Sequence, residues 1–286
     1  MSEDRELEKR PSDDVVPVSD SLDSHREDLI AKLSGDKRSK YARFIAAAAL
    51  GSIPWIGGVL SAAIALQAEG GQEKLDDLQK LWLHEHEDKI QDLGRTIAQI
   101  LQRLDSLGND IQARVESEEY LSLIRKGFRS WDQAETNEKR EFIRKLLTNA
   151  GGTKLCSDDV VRLFIEWIDS YHELHFRVIR EVYKDPGVTR ARIWENIYGD
   201  QPREDSAEAD LFKLLMRDLS TGGVLRQERP TDSYGRFIAK KRTGRGKASS
   251  GGVLKSAFDD NDPYVLTELG QQFVHYTMDD IVPRIA

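Results

Sequence analysis

Residues 44–67 read FIAAAALGSIPWIGGVLSAAIALQ, twenty-four positions without an ionisable side chain. A stretch this apolar must leave water, for a bilayer or for a protein core. Its length reaches the about 18 to 20 residues of a membrane span. Nine of its residues are Ile, Leu, Val or Phe, and together they favour insertion by about 3 to 5 kcal/mol. Pro54, three glycines, two serines and Gln67 oppose it, so insertion is near balance. Pro54 lacks an amide proton and clashes with the preceding turn, and it biases Ile53 towards an extended conformation. The halves on either side, about 10 and 12 residues, reach about 15 and 18 Å, short of a hydrocarbon core of about 30 Å. The pattern therefore predicts a helical hairpin that enters a bilayer partway or packs inside protein. Its inserting positions are Phe44, Ile45, Leu50, Ile53, Pro54, Trp55, Ile56, Val59, Leu60 and Ile64. Gly57, Ser61 and Ala65 add a ridge of small residues along which a second helix can approach closely.

The flanks refine this picture. Residues 1–35 carry ten acidic and five basic side chains interrupted by Pro11 and Pro17, and read as an acidic, partly disordered tail. Lys37, Arg38, Lys40 and Arg43 precede the apolar stretch and hold its N-terminal side in the cytoplasm. A single span would carry everything downstream across the membrane, whereas a hairpin keeps both ends inside. The opening MSEDRELEKRPSDD has no apolar core and is no secretory signal. The lone Cys156 cannot form an internal disulfide, which fits a reducing compartment. The expected location is thus the cytoplasm, either free or at the inner face of the cell membrane. The 286 residues predict two domains at about 150 each. A net charge of −8 excludes a histone-like coat and leaves any nucleic-acid contact to a local patch.

Beyond residues 70 and 71, both glycine, a long helix is predicted over about 72–115. Ile90, Leu93, Ile97, Ile100, Leu104, Leu107 and Ile111 step by three and four, an a/d heptad seam. Gly108 and Asn109 are a candidate break. The seam meets either a second copy of the chain, making a coiled-coil oligomer, or an internal helix. Further helices are expected over 117–131 and 136–149, the latter stopped by Gly151 and Gly152. Another starts at Ser157, with Asp158 and Asp159 near its positive end, and runs to Tyr183. Residues 36–155 thus form a helical body, and 156–286 a long helix followed by a second domain.

After Pro186 come a short helix (189–198), a polar loop, a helix (206–219) with Leu211, Leu214, Leu215 and Leu219 inward, and a strand near 224–229. A polar stretch over about 230–262 leads to a returning strand at 264–266 and a last helix from Thr267. The pieces LLMRDLSTGGVLRQE and YVLTELGQQF resemble the recognition-helix exit and closing strand of winged-helix domains, a likeness that covers roughly residues 171–280. It implies a wing whose basic residues touch a phosphate backbone, or a protein-interaction module. The segment 233–258 holds seven basic residues and no acidic one, with Tyr234 and Phe237 as stacking rings. Arg236, Lys240, Lys241, Arg242, Arg245 and Lys247, with Lys213 and Arg217 on the helix, are the candidate nucleic-acid contacts. Asp205, Glu208 and Asp210 at the start of that helix argue against base reading in a major groove. Residues 139–183 resemble helical proteins associated with bacterial abortive infection, which implies a role in antiviral defence.

No GxxxxGK[ST], HExxH, paired CxxC or GxSxG occurs. His172 and His175 share a helical face, but His175 lies on the apolar stripe and reads as a core residue. Catalytic residues, metal and cofactor are all expected to be absent. The fold expected is mainly α: an N-terminal helical bundle with an apolar hairpin, then a winged-helix α+β domain. Two functions follow. In one, the chain is a non-enzymatic effector whose hairpin acts on a membrane under control of a winged-helix sensor. In the other, it is a nucleic-acid-binding winged-helix regulator or scaffold with a dimerising helical body. The expected partners are a membrane, nucleic acid at the wing, a second copy at the seam and a protein on the winged helix.

Overall fold

In the computed structural model, which describes residues 42–56, 81, 84–107, 111–153, 155–229, 232–234, 236, 238 and 256–278, the uncharged segment begins as helix α1, Ala42–Leu50. Alanine loses no side-chain entropy in a helix, so four in a row propagate it, and α1 buries Ile45, Ala46, Ala49 and Leu50. It ends in a tight turn: Gly51 N donates to Ala47 O at 3.0 Å and Ser52 N to Ala49 O at 3.1 Å. Pro54 then opens a new helical turn over 54–56, where a first-turn residue needs no amide proton. The proline therefore ends one helix and starts the next, as its chemistry requires. Val59, Leu60 and Ile64 lie outside the described residues, as do the acidic tail and the small-residue ridge.

Two units divide the chain, residues 1–132 and 133–286. In the first, α2 (Glu87–Ser106) follows, with α3 (Gln112–Val115) and α4 (Glu118–Gln133) after it. Of the single helix expected over 72–115, residues 72–80 lie outside the described residues, and the described helix starts at Glu87. It closes at Leu107, whose amide turns back to Leu104 O at 3.0 Å before the poor helix formers Gly108 and Asn109. Leu93, Ile97, Ile100 and Leu104 are fully buried in the single chain, and α1 packs against α2. The heptad seam is thus filled from within the chain. On α4, Tyr120, Leu123, Ile124, Phe128 and Trp131 face the core.

The second unit starts with α5 (Asn137–Gly152), capped by Thr136, which accepts from Lys139 N. α5 runs through Gly151 and Gly152 instead of stopping at them. The chain leaves it only at Thr153, whose hydroxyl meets Asn149 O and the Tyr276 hydroxyl. Helices α6 (Asp158–Ser170) and α7 (Glu173–Lys184) replace the one helix expected up to Tyr183. The three-and-four stepping continues across the break because Phe164, Trp167 and Phe176 all meet the same ring, Phe273.

At that break Tyr171 and His172 are extended, and the His172 amide donates to His175 Nδ1 at 3.1 Å. The imidazole stacks on Tyr171 at 4.9 Å and is buried with Nε2 unpaired. Burial first, then the neighbouring His172, lowers the His175 pKa. The unfolded chain therefore takes up a proton below about pH 6.5 that the folded chain refuses. The contribution of His175 to stability is constant above that pH and falls as pH drops from it towards the depressed folded-state value. Urea midpoints measured at several pH values are expected to show this decline, and His175→Asn, which keeps an acceptor for the His172 amide, to lessen it. An equal decline in the variant would contradict this assignment.

Past Pro186 and Gly187 (φ +98°) the chain enters β1 (Val188–Thr189), then α8 (Arg190–Tyr198) and α9 (Ala207–Thr221). β2 (Leu225–Gln227), β3 (Pro263–Leu266) and α10 (Glu268–Thr277) complete the unit. The sheet order is β1-β3-β2, antiparallel throughout, with Val188 opposite Tyr264 and Leu225 opposite Leu266. Thr267 caps α10 and its amide donates to Val224 O at 2.9 Å. Gly270 is needed there, since a Cβ would stand 2.3 Å from that carbonyl. α10 packs on α5, where buried Asn149 donates to Tyr276 O at 3.0 Å.

Candidate interaction surface of the C-terminal unit

Helix α9 is capped at its N-terminus. Ser206 accepts from Ala209 N at 3.1 Å, and Glu208 and Asp210 sit in the positive first turn. Ala209, Phe212, Leu215, Met216 and Leu219 face the core. Leu211 and Leu214, expected inside, are instead 45% and 40% exposed. Phe212 and Met216 take the inward arc, and Phe212 meets Trp194 edge-on at 5.4 Å. The outward face of α9 is therefore apolar at its centre.

The cations around it are already engaged. Lys213 Nζ lies 3.6 Å from Glu204 and 3.8 Å from Asp210, and Arg203 grips Asp205 through both nitrogens at 2.9 and 2.7 Å. Arg217 is exposed, 3.8 Å from Asp218. Glu204 accepts from the Ser256 hydroxyl and from Ala257 N, which hold its carboxyl below the usual range. The returning arm is thereby tied to the loop before α9. Phe258 continues this anchoring, packed on Trp194 at 5.2 Å and stacked on Phe212. Thr189 donates to Asp260 at 2.6 Å and Gln227 to Asp262 at 3.2 Å.

At the outgoing side, Asp232 accepts from Tyr234 N and Arg236 N at 2.9 Å each, and from Arg236 Nε at 2.8 Å. These donors keep its carboxyl ionised, with a lowered pKa. Arg236 lies 5.3 Å from the Tyr234 ring, and that ring is 82% exposed. Lys240, Lys241, Arg242, Arg245 and Lys247 lie outside the described residues. Of the candidate nucleic-acid contacts that are described, Lys213, Arg217 and Arg236 each lie beside a carboxylate, and Arg217 is the more exposed of the two on α9.

In the first unit, Ile45, Leu50, Ile53 and Ile56 of the candidate inserting set are buried, while Phe44 and Pro54 are exposed. Trp55 bridges the two states: its Nε1 donates to Asp132 at 2.6 Å and its ring stacks on His86 at 4.9 Å. Sequence reasoning missed this anchor because the partners lie 77 residues apart. Among the described residues no helix is long and apolar enough to cross a membrane, and no cluster could hold a metal ion. The Cys156 thiol donates to Gln272, and burial pushes its pKa up, which leaves it protonated and unreactive at neutral pH. Compared with known protein-family models, curated proteins and solved structures, the chain matches none.

Proposed function

We propose that this chain is a non-enzymatic binding protein whose C-terminal unit is a winged-helix domain that docks a protein segment on α9. The element order supports the fold: helix, short strand, two helices, then two strands, with the last strand central in the sheet. The observation that carries the function is the pair Leu211 and Leu214, exposed one turn apart on the helix that in a DNA reader would enter the major groove. Base reading needs donors and acceptors there. This helix offers two leucines flanked by Glu208 and Asp210, with Lys213 held by carboxylates. The complementary partner is a segment with an apolar stripe and basic flanks. The basic residues of the 236–247 stretch supply contact to phosphate or acidic groups that carries no base information.

In the first unit the described part of the apolar segment, residues 44–56, buries Ile45, Leu50, Ile53 and Ile56. Action on a membrane, as in a helical effector of bacterial defence, requires these side chains to leave the core.

Two measurements on the full chain test the reading. A photo-crosslinking residue placed at Leu211 or Leu214 in the producing cell is expected to give one discrete protein adduct, and none at exposed Glu268. Fluorescence anisotropy with duplex DNA is expected to show salt-sensitive binding without sequence preference, unchanged by Leu211→Ser. Sequence-selective DNA binding that Leu211→Ser or Arg217→Ala abolishes would overturn the proposal.

A further inference from the structure

Away from α9, the C-terminal unit carries a cleft of about 520 Å³ where the last turn of α7 meets β2, β3 and the start of α10. That volume suits a small organic molecule. Arg226 and Val265 are partners across β2 and β3, so both side chains leave the sheet on one face, alternate to buried Leu225, Tyr264 and Leu266. Val265 provides an apolar floor. Tyr183 forms a wall with its ring 40% exposed, and His275 braces that ring edge-on at 5.9 Å, with planes at 88°. Arg229 and Glu228 line the same cleft, and neither side chain has a hydrogen bond or ion pair among the described residues. Gln271 adds an amide from α10.

We infer that this cleft binds a small planar organic anion. Its flat body lies against Tyr183 and Val265, its anionic group meets the guanidinium group of Arg229 with Arg226 adding positive charge beside it, and a donor on its edge meets Glu228 or Gln271. Three features carry this. A braced aromatic ring keeps its face without further ordering cost, since Tyr183 is already fixed. Arginine forks match carboxylate and phosphate oxygens in bidentate geometry. An exposed acceptor beside them, Glu228, favours ligands that carry a donor on the adjoining edge and so adds selectivity. The proposal rests on the cleft alone and is independent of what docks on α9.

Two sources share this chemistry, purine monophosphates and aromatic carboxylates, and ligand-observed NMR with the full chain separates them. The probes are AMP, GMP and indole-3-acetate, each against its uncharged parent, adenosine, guanosine or indole. At least one anionic probe is expected to bind saturably and its parent much more weakly. Arg229→Ala is expected to weaken binding about tenfold or more, the size of a lost charge-assisted hydrogen bond. Tyr183→Ala is expected to weaken it too, and Tyr183→Phe to retain it. Arg229 is exposed, so its loss leaves the fold intact, and circular dichroism verifies this for each variant. Saturable binding by none of the anions, equal binding of the parents, or unchanged binding by the Arg229→Ala chain overturns the inference. Failure here leaves the α9 crosslinking result untouched.

Discussion

Replacing Phe273 by alanine is expected to unfold the C-terminal unit at temperatures where the wild type is fully native. The ring is completely buried and packs edge-on against Phe164 and Trp167, each at 5.4 Å, and stacks on Phe176 at 6.4 Å. It is the point at which α10 joins α6 and α7. Phe→Ala in a core costs about 3 to 5 kcal/mol, transfer and cavity together, and aromatic pairing adds about 0.5 to 1.5 kcal/mol per contact. A domain of ordinary stability, about 5 to 15 kcal/mol, loses a large part of it. Chemical denaturation followed by the signal of Trp167 measures the loss. A shift smaller than that of a surface substitution would show that the cluster is not the core of this unit.

The second large effect lies in the uncharged segment, where two neighbours make opposite predictions. Ile45 is 0% exposed and Phe44 is 51% exposed. If the segment works as core, Ile45→Ala costs about 2 to 5 kcal/mol, whereas Phe44→Ala stays within about 0.5 kcal/mol. Hydrogen exchange of α2, against which α1 packs, reports the difference directly. A segment held ready for a membrane gives the reverse result: Ile45→Ala leaves exchange in α2 unchanged and reduces recovery of the chain with vesicles.

Much of this architecture is visible in the residues themselves because its causes are local. Ser157, Thr189, Ser206 and Thr267 each precede a helix and each accepts from a backbone amide three residues on. Pro54 marks a helix boundary because a missing amide proton has the same effect in any context. Tertiary choices were less legible. Leu211, Phe212, Leu214, Leu215 and Met216 form an apolar arc wider than one buried stripe, and periodicity cannot say which edge of such an arc meets solvent. The break at Tyr171 and His172 hides because both helices turn the same apolar side to Phe273. β1 has two residues and exists only through its pairing with β3. The cleft beside Tyr183 draws on residues from 182 to 271, a convergence that no local pattern encodes. The heptad stepping did identify a buried seam, and burial in the single chain shows that its cover comes from the chain itself.

The way the returning arm is fastened has an evolutionary and practical corollary. Ala257 is gripped by Glu204 in the loop before α9, Phe258 by α8 and α9, Asp260 by the α8 cap Thr189 and Asp262 by β2, so β3 has its own anchors on the N-terminal side. Doubling the length of a flexible connection adds only about 0.6 kcal/mol of closure entropy. These anchors are what would hold β3 in register if the tract between 239 and 255 grew or shrank in descendants of this gene, or carried a reporter cassette in the laboratory.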